Sequence, residues 1–140
     1  MPFLTRRRFV ALSLGTAAAA ATRPAHAATI EPYTAVAFEA ANKLDAPVYL
    51  HVYAPWCLQC FTQDTILQKL LAEPKFAAAT FLRVSYDDQE NVVAALNVPR
   101  ATLIAYRRGR ETGRLSWSVA PDEIQKVLLS ALPVVPQRPG

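Results

Sequence analysis

Two cysteines, Cys57 and Cys60, are the residues of this chain best suited to do chemistry, and no other cysteine accompanies them. They stand in Trp56-Cys57-Leu58-Gln59-Cys60. A disulfide used as a staple stabilises by closing a long loop of the unfolded chain, and a ring with only two residues between its cysteines contributes little in that way. A pair this close suits switching between dithiol and disulfide. Metal binding is the competing use of the same sulfurs. A closed zinc site needs four ligands, whereas beyond residue 27 the chain offers two cysteines and a single histidine, His51. No metal is therefore expected, and a low-coordinate copper site on two thiolates and His51 stands as the alternative.

The elements around the pair give the sulfurs different surroundings. Val48-Tyr49-Leu50-His51-Val52-Tyr53 is an apolar run broken only by His51, the pattern of a central strand buried on both faces. Ala54-Pro55-Trp56 then leads into a helix over about Cys57 to Ala72, with Ile66, Leu67, Leu70 and Leu71 as its apolar stripe and Gln63, Gln68, Lys69 and Glu73 facing out. Cys57 thus falls at a helix N-terminus, where unpaired N–H groups and the helix dipole favour thiolate. Cys60 follows one turn later and is placed to resolve a mixed disulfide from within. Trp56 offers a flat apolar surface to a partner chain or, alternatively, packs into the core.

The rest of the mature chain alternates strands and helices. Residues 29–33 are extended, with Pro32 restricting them to an edge. A helix runs from Thr34, its N-cap, to Leu44. Strands follow at Thr80–Tyr86 and Thr102–Tyr106, separated by a short helix that Asp87-Asp88 caps. Arg107-Arg108-Gly109-Arg110 is a hairpin turn with a solvated basic tip, leading to a strand from about Glu111 to Trp117. Ala120-Pro121-Asp122-Glu123 opens a last helix with Ile124, Val127, Leu128 and Leu132 on its apolar face. Tyr106 and Trp117 are expected in the core or on a sheet face. Strand–helix–strand units imply parallel pairing, and the two strands around Gly109 must be antiparallel. The fold class is α/β, with a central mixed sheet of four to five strands flanked by helices on both faces.

Charge excludes one class of partner. The net charge of +4 comes from 15 basic and 11 acidic residues, but four of the arginines (Arg6, Arg7, Arg8 and Arg23) lie in residues 1–27, which hold no acid. The remaining chain is neutral and has no counterion-release term with which to bind nucleic acid. Residues 1–27 read as an export signal: Thr5-Arg6-Arg7-Arg8-Phe9-Val10, an uncharged Ala- and Leu-rich run to Thr22, and Ala25-His26-Ala27 as a cleavage site. The run is shorter than the roughly 20 residues that span a bilayer. Its paired arginines resemble the twin-arginine export signal of bacteria. The expectation is cleavage after Ala27 and a periplasmic domain over 28–132, followed by a Pro-rich tail at 133–140. Membrane contact would arise only through an uncleaved signal.

The stretch from Pro47 through Trp56-Cys57 to Cys60 resembles the strand and active-site motif of the thioredoxin superfamily. Val84 to Gly113, with Asn97-Val98 and Thr102-Leu103-Ile104-Ala105-Tyr106, is similar to that family's second half. The resemblance covers roughly residues 30–132. It implies a thioredoxin-like fold and thiol–disulfide oxidoreductase activity, with Cys57 as nucleophile, Cys60 as resolving thiol and no cofactor beyond their disulfide. Partners would be client proteins or small thiols, held through a transient mixed disulfide, and an unidentified electron donor or acceptor. The alternative on the same fold is a copper metallochaperone or a redox-inactive binding module.

Three positions depart from the family pattern. Leu58-Gln59 replaces Gly-Pro between the cysteines, so the direction of electron flow does not carry over. His51 replaces a buried Asp; it is either a proton relay for Cys60 or a neutral, space-filling histidine. Ala101 stands where the family places a cis-proline that helps bind clients. Either Ala101 follows a trans bond, because a non-proline cis bond costs about 2.5–4 kcal/mol, or Pro99 takes that role.

Overall fold

The computed structural model describes residues 28–133. The export signal, its cleavage site and all of the tail but Pro133 lie outside the described residues. Ten elements follow in order: β1 (Ile30–Pro32), α1 (Ala35–Asn42), β2 (Pro47–Tyr53), α2 (Leu58–Leu71), a 3₁₀ turn (Pro74–Phe76), β3 (Thr80–Ser85), α3 (Glu90–Leu96), β4 (Thr102–Arg107), β5 (Arg110–Ser116) and α4 (Pro121–Ser130). They build a five-stranded mixed sheet in the order β1-β3-β2-β4-β5 with helices on both faces. This is the thioredoxin-like α/β fold.

β2 lies at the centre because nearly every side chain in it must leave water; only Tyr53 is partly exposed. Its alternation separates two cores. Tyr49 packs with Leu67, Leu71, Phe76, Phe81, Ile124 and Leu128 beneath α2 and α4. Val48 and Leu50 pack with Ala41, Leu82, Ile104 and Tyr106 on the α1 side. The Tyr49 hydroxyl donates to the Leu128 carbonyl at 2.6 Å, tying the central strand to the last helix. Burial pushes its pKa up. A third, small cluster joins Ala54, Cys57, Cys60 and Ala101 at the C-terminal end of β2.

Thr34 caps α1 as its residue type predicts, its Oγ1 accepting from the Ala37 N–H at 3.0 Å. Removing that acceptor leaves an orphan donor at the helix start. Thr34→Ala is expected to lower the unfolding free energy by about 1 kcal/mol in urea titration; an unchanged midpoint and slope would dismiss the cap.

The pairing departs from expectation at β4. The third strand–helix–strand unit does not yield a parallel strand: β4 runs antiparallel to β2, with Thr102 opposite Val52. The reason is length. The seven residues of α3 rise about 10 Å, whereas the six residues of β3 extend about 20 Å. The connection therefore stays at the end of the sheet where β3 left it, and the chain re-enters there. The 3₁₀ turn after Pro74 also went unanticipated.

Two turns differ in detail from the sequence reading. α3 is capped by Gln89, without a side-chain cap bond, and not by Asp87-Asp88; Asp88 instead closes a local turn with the Ser85 hydroxyl at 3.1 Å. The basic hairpin tip is exposed to solvent as expected, and it is also anchored. Arg107 and Arg108 both donate to Asp45, and the Arg108 guanidinium beside that carboxyl holds its pKa below the usual range. Arg108 and Gly109 both have positive φ, as a tight two-residue hairpin requires.

Candidate functional site

Cys57 is the N-cap of α2, in extended conformation, and its Sγ accepts from the Cys60 N–H at 3.2 Å. The two sulfurs are joined as a disulfide across a Cα–Cα distance of 5.2 Å. Cys57 retains 3% of its surface and Cys60 none, so any approach to the bond comes from the Cys57 side. Cys60 Sγ rests 3.9 Å from the Val52 carbonyl oxygen.

Beneath the disulfide lies a polar knot that the sequence reading did not foresee. Gln63 was expected to face solvent, yet it is buried, because the inward stripe of α2 runs Cys60, Gln63, Asp64, Leu67, Leu71. Its Nε2 donates to the carbonyls of Ala101 at 3.0 Å and Ser118 at 2.8 Å. Two carbonyl partners fix which end of the amide is nitrogen, so Oε1 must be the atom 2.9 Å from His51 Nε2. That imidazole nitrogen is therefore the N–H, and Nδ1 is left as a buried lone pair with no partner. Burial lowers the His51 pKa to about 4, against the raising effects of the Gln63 hydrogen bond and the Asp64 carboxylate. His51 is neutral at physiological pH. Asp64 is in turn held by Arg83 and by Gln68, whose Nε2 donates to it at 2.7 Å.

Ala101 packs against Cys57 and Cys60, with no exposed surface. Its N–H donates to the Val52 carbonyl at 2.9 Å, and its carbonyl accepts from Trp117 N at 2.8 Å as well as from Gln63. Both of its backbone groups are thus committed inside the fold. Its φ of 55° lies in the left-handed region, which costs a side-chain-bearing residue roughly 1–2 kcal/mol; the three hydrogen bonds hold it there. The peptide bonds before Ala101 and Pro99 are trans, and the Pro99 carbonyl accepts from the Thr102 hydroxyl at 2.8 Å.

Trp56 lies on the surface, not in the core. Its indole N–H donates to the Asp87 carboxylate, at 2.9 Å to Oδ2. Trp117, expected in the core or on a sheet face, is exposed directly after the end of β5, and the Arg100 guanidinium lies over both indole rings. Gln63, Arg100 and Trp117 are the site residues that sequence reasoning missed. Only Gln63 left a signal, since it lies three residues after Cys60 and four before Leu67. Among the described residues, no group of three or more His, Cys, Asp and Glu side chains is assembled for a metal.

Comparison with known proteins agrees with this architecture. No family model matches the sequence. Among solved structures, Trxlp from Edwardsiella tarda is 34% identical with a TM-score of 0.68, covering 71% of this chain and 98% of its own. Thioredoxin from Malassezia sympodialis (16% identical, TM-score 0.66, 76% and 92% covered) and thioredoxin from Nicotiana alata (18%, 0.66, 77% and 96%) share the fold. The chain belongs to the thioredoxin superfamily. Membership and the paired sulfurs support thiol–disulfide oxidoreductase activity in general terms.

Proposed function

We propose that the protein exchanges its Cys57–Cys60 dithiol or disulfide with client polypeptides in the periplasm, Cys57 attacking and Cys60 resolving. The observation that carries this reading is the position of Cys57 Sγ at the start of α2, where it receives the Cys60 N–H at 3.2 Å. In the dithiol form that donor and the helix dipole favour a Cys57 thiolate. In the reductive direction the thiolate attacks one sulfur of a client disulfide, and the other sulfur leaves as a client thiolate. Cys60 then gives up its proton and attacks Cys57 Sγ, the mixed disulfide breaks, and the second client sulfur is released. Two electrons pass to the client, and an external dithiol must restore the Cys57–Cys60 pair. The burial of Cys60 supports its role as the inner, resolving sulfur.

The same steps run backwards in an oxidase. The reduction potential of the couple decides the direction: about −270 mV matches a reductase and about −120 mV an oxidase. Ala101 supports the site by packing on the sulfurs, while Trp56 offers the client an exposed ring. Export is supported by the twin-arginine-like segment and the Ala25-His26-Ala27 cleavage pattern.

The test is dithiothreitol-driven reduction of insulin. Cys57→Ser is expected to reduce turnover to the uncatalysed rate. Cys60→Ser is expected to stall after the first attack and accumulate mixed disulfides that dithiothreitol dissolves. Wild-type protein that neither accelerates insulin reduction nor yields such adducts from Cys60→Ser would end this reading.

A further inference from the structure

Arg100 immediately precedes Ala101, the residue packed on Cys57 and Cys60, and its guanidinium is held between two indoles. The ring centroids of Trp56 and Trp117 lie 4.7 and 4.8 Å from its central carbon. Nε is enclosed and has no hydrogen-bond partner. The two Nη atoms are not enclosed in this way and donate to no described group. Among the described residues, no carboxylate reaches Arg100 at ion-pair distance. Asp87 is engaged instead at the indole N–H of Trp56.

A clamped guanidinium with unused donors is prepared for an anion. Stacking has already restricted its rotamers, so a ligand that binds it causes little further ordering. Its planar fork matches a carboxylate, and the tryptophan faces lower the local polarity in which the pair would form. The two indoles against it are exposed, as are Leu58 and Phe61 in the first turn of α2, which Cys57 caps, and Val119, two residues after Trp117. Such a rim suits an extended polypeptide better than a small, fully polar thiol.

We propose that Arg100 is an anchor for a carboxylate, selecting client polypeptides with Asp or Glu beside the cysteine under exchange. This rests on the exchange reading of the same site. While the client sulfur meets Cys57, its acidic neighbour pairs with the Nη edge of Arg100 and its apolar flank covers the tryptophans.

Two measurements test the anchor separately from the exchange chemistry. The first is the rate at which reduced protein cleaves two disulfide-linked peptides that differ only by Glu or Gln next to the cysteine. Wild type is expected to favour the Glu peptide about five- to tenfold, the scale of a partly exposed charge-assisted pair. Arg100→Gln is expected to bring the ratio to about one, and Arg100→Lys, which keeps charge without the fork or the stack, to an intermediate value. Equal rates in wild type, or a preference that survives Arg100→Gln, would overturn the proposal. The second measurement is tryptophan fluorescence titration with the same peptides S-methylated, so that binding is read without exchange. The Glu peptide should bind more tightly by a similar factor in wild type and not in Arg100→Gln. If neither disulfide peptide is cleaved but this difference persists, the exchange reading fails and the anchor stands. If both are cleaved at one rate and bind alike, the anchor fails and the exchange reading stands. Dithiodipropionate cleaved faster than the Glu peptide would overturn the assignment to polypeptides.

Discussion

Gln63→Leu is expected to lower the unfolding free energy by roughly 2–4 kcal/mol, a large effect for a polar residue on a helix. Leucine keeps most of the volume, so the cost does not come from a cavity. It comes from what the amide holds together: His51 on β2, the Ala101 carbonyl before β4 and the Ser118 carbonyl after β5. With leucine in place, His51 Nε2 is a buried donor with no acceptor, beside an Nδ1 that already lacks a partner. The Ser118 carbonyl loses its donor as well, whereas Ala101 keeps the Trp117 N–H. Each buried polar group left unsatisfied costs about 1–3 kcal/mol, and partial solvent access at Ser118 reduces its share. Urea denaturation of the disulfide form measures the sum. A loss below about 1 kcal/mol would mean that the knot contributes little.

The same substitution reaches the site through geometry. Ala101 holds a left-handed backbone against the sulfurs only while its surroundings enforce it. Releasing one of its three ties loosens the segment that also carries Arg100. The exchange rate should therefore fall together with stability, and Gln63→Glu should fall further, because its carboxylate would face two carbonyl oxygens. Unchanged exchange rates in both variants would detach the knot from function.

What could be read in the sequence was whatever a local pattern encodes. Thr34 as a cap, the apolar run of β2, Cys57 at a helix start and Gly109 in a hairpin each follow from a few adjacent residues and from rules of backbone geometry. The partners of the site do not. Trp56 meets Arg100 and Arg100 meets Trp117 through segments that are distant in sequence, and stacking leaves no periodicity to find. Asp87 looked like a helix cap because acids before a short helix usually are; its indole partner is 31 residues away. Gln63 was turned outward by the rule that polar residues face water. That rule fails when two buried polar groups satisfy each other, and His51 in the central strand was the first half of such a pair. The reversal of β4 was hidden for a different reason: the run of alternating elements suggested a crossover, and only the shortness of α3 argued against one.

His51 should make the protein less stable toward acid by about 3 kcal/mol between pH 7 and pH 4. Its folded pKa is about 4, and in the unfolded chain it returns to about 6.5. Between those values the unfolded state binds a proton that the folded state refuses, so the stability is present above pH 6.5 and is lost as pH falls toward 4. The shift is about 2.5 units at roughly 1.4 kcal/mol each, and full burial leaves no solvent screening to reduce it. Other carboxylates titrate in the same range, so the measurement is a difference. Urea unfolding is followed from pH 7 to pH 4 in wild type and in His51→Gln, whose amide keeps a donor toward Gln63. Wild type should lose about 3 kcal/mol more than the variant. Parallel curves would show that burial does not depress this imidazole, and a smaller loss in wild type would show that it binds a proton in the fold. The sign also bears on catalysis. Burial makes the His51 imidazole a weaker base than a free one, so an imidazolium there is a poor stop for the proton leaving Cys60. With Nε2 committed to Gln63, the neutral imidazole keeps a lone pair at Nδ1 that no described group meets. Exchange rates should show no inflection near pH 6.5 that disappears in His51→Gln, and finding one would restore the proton relay.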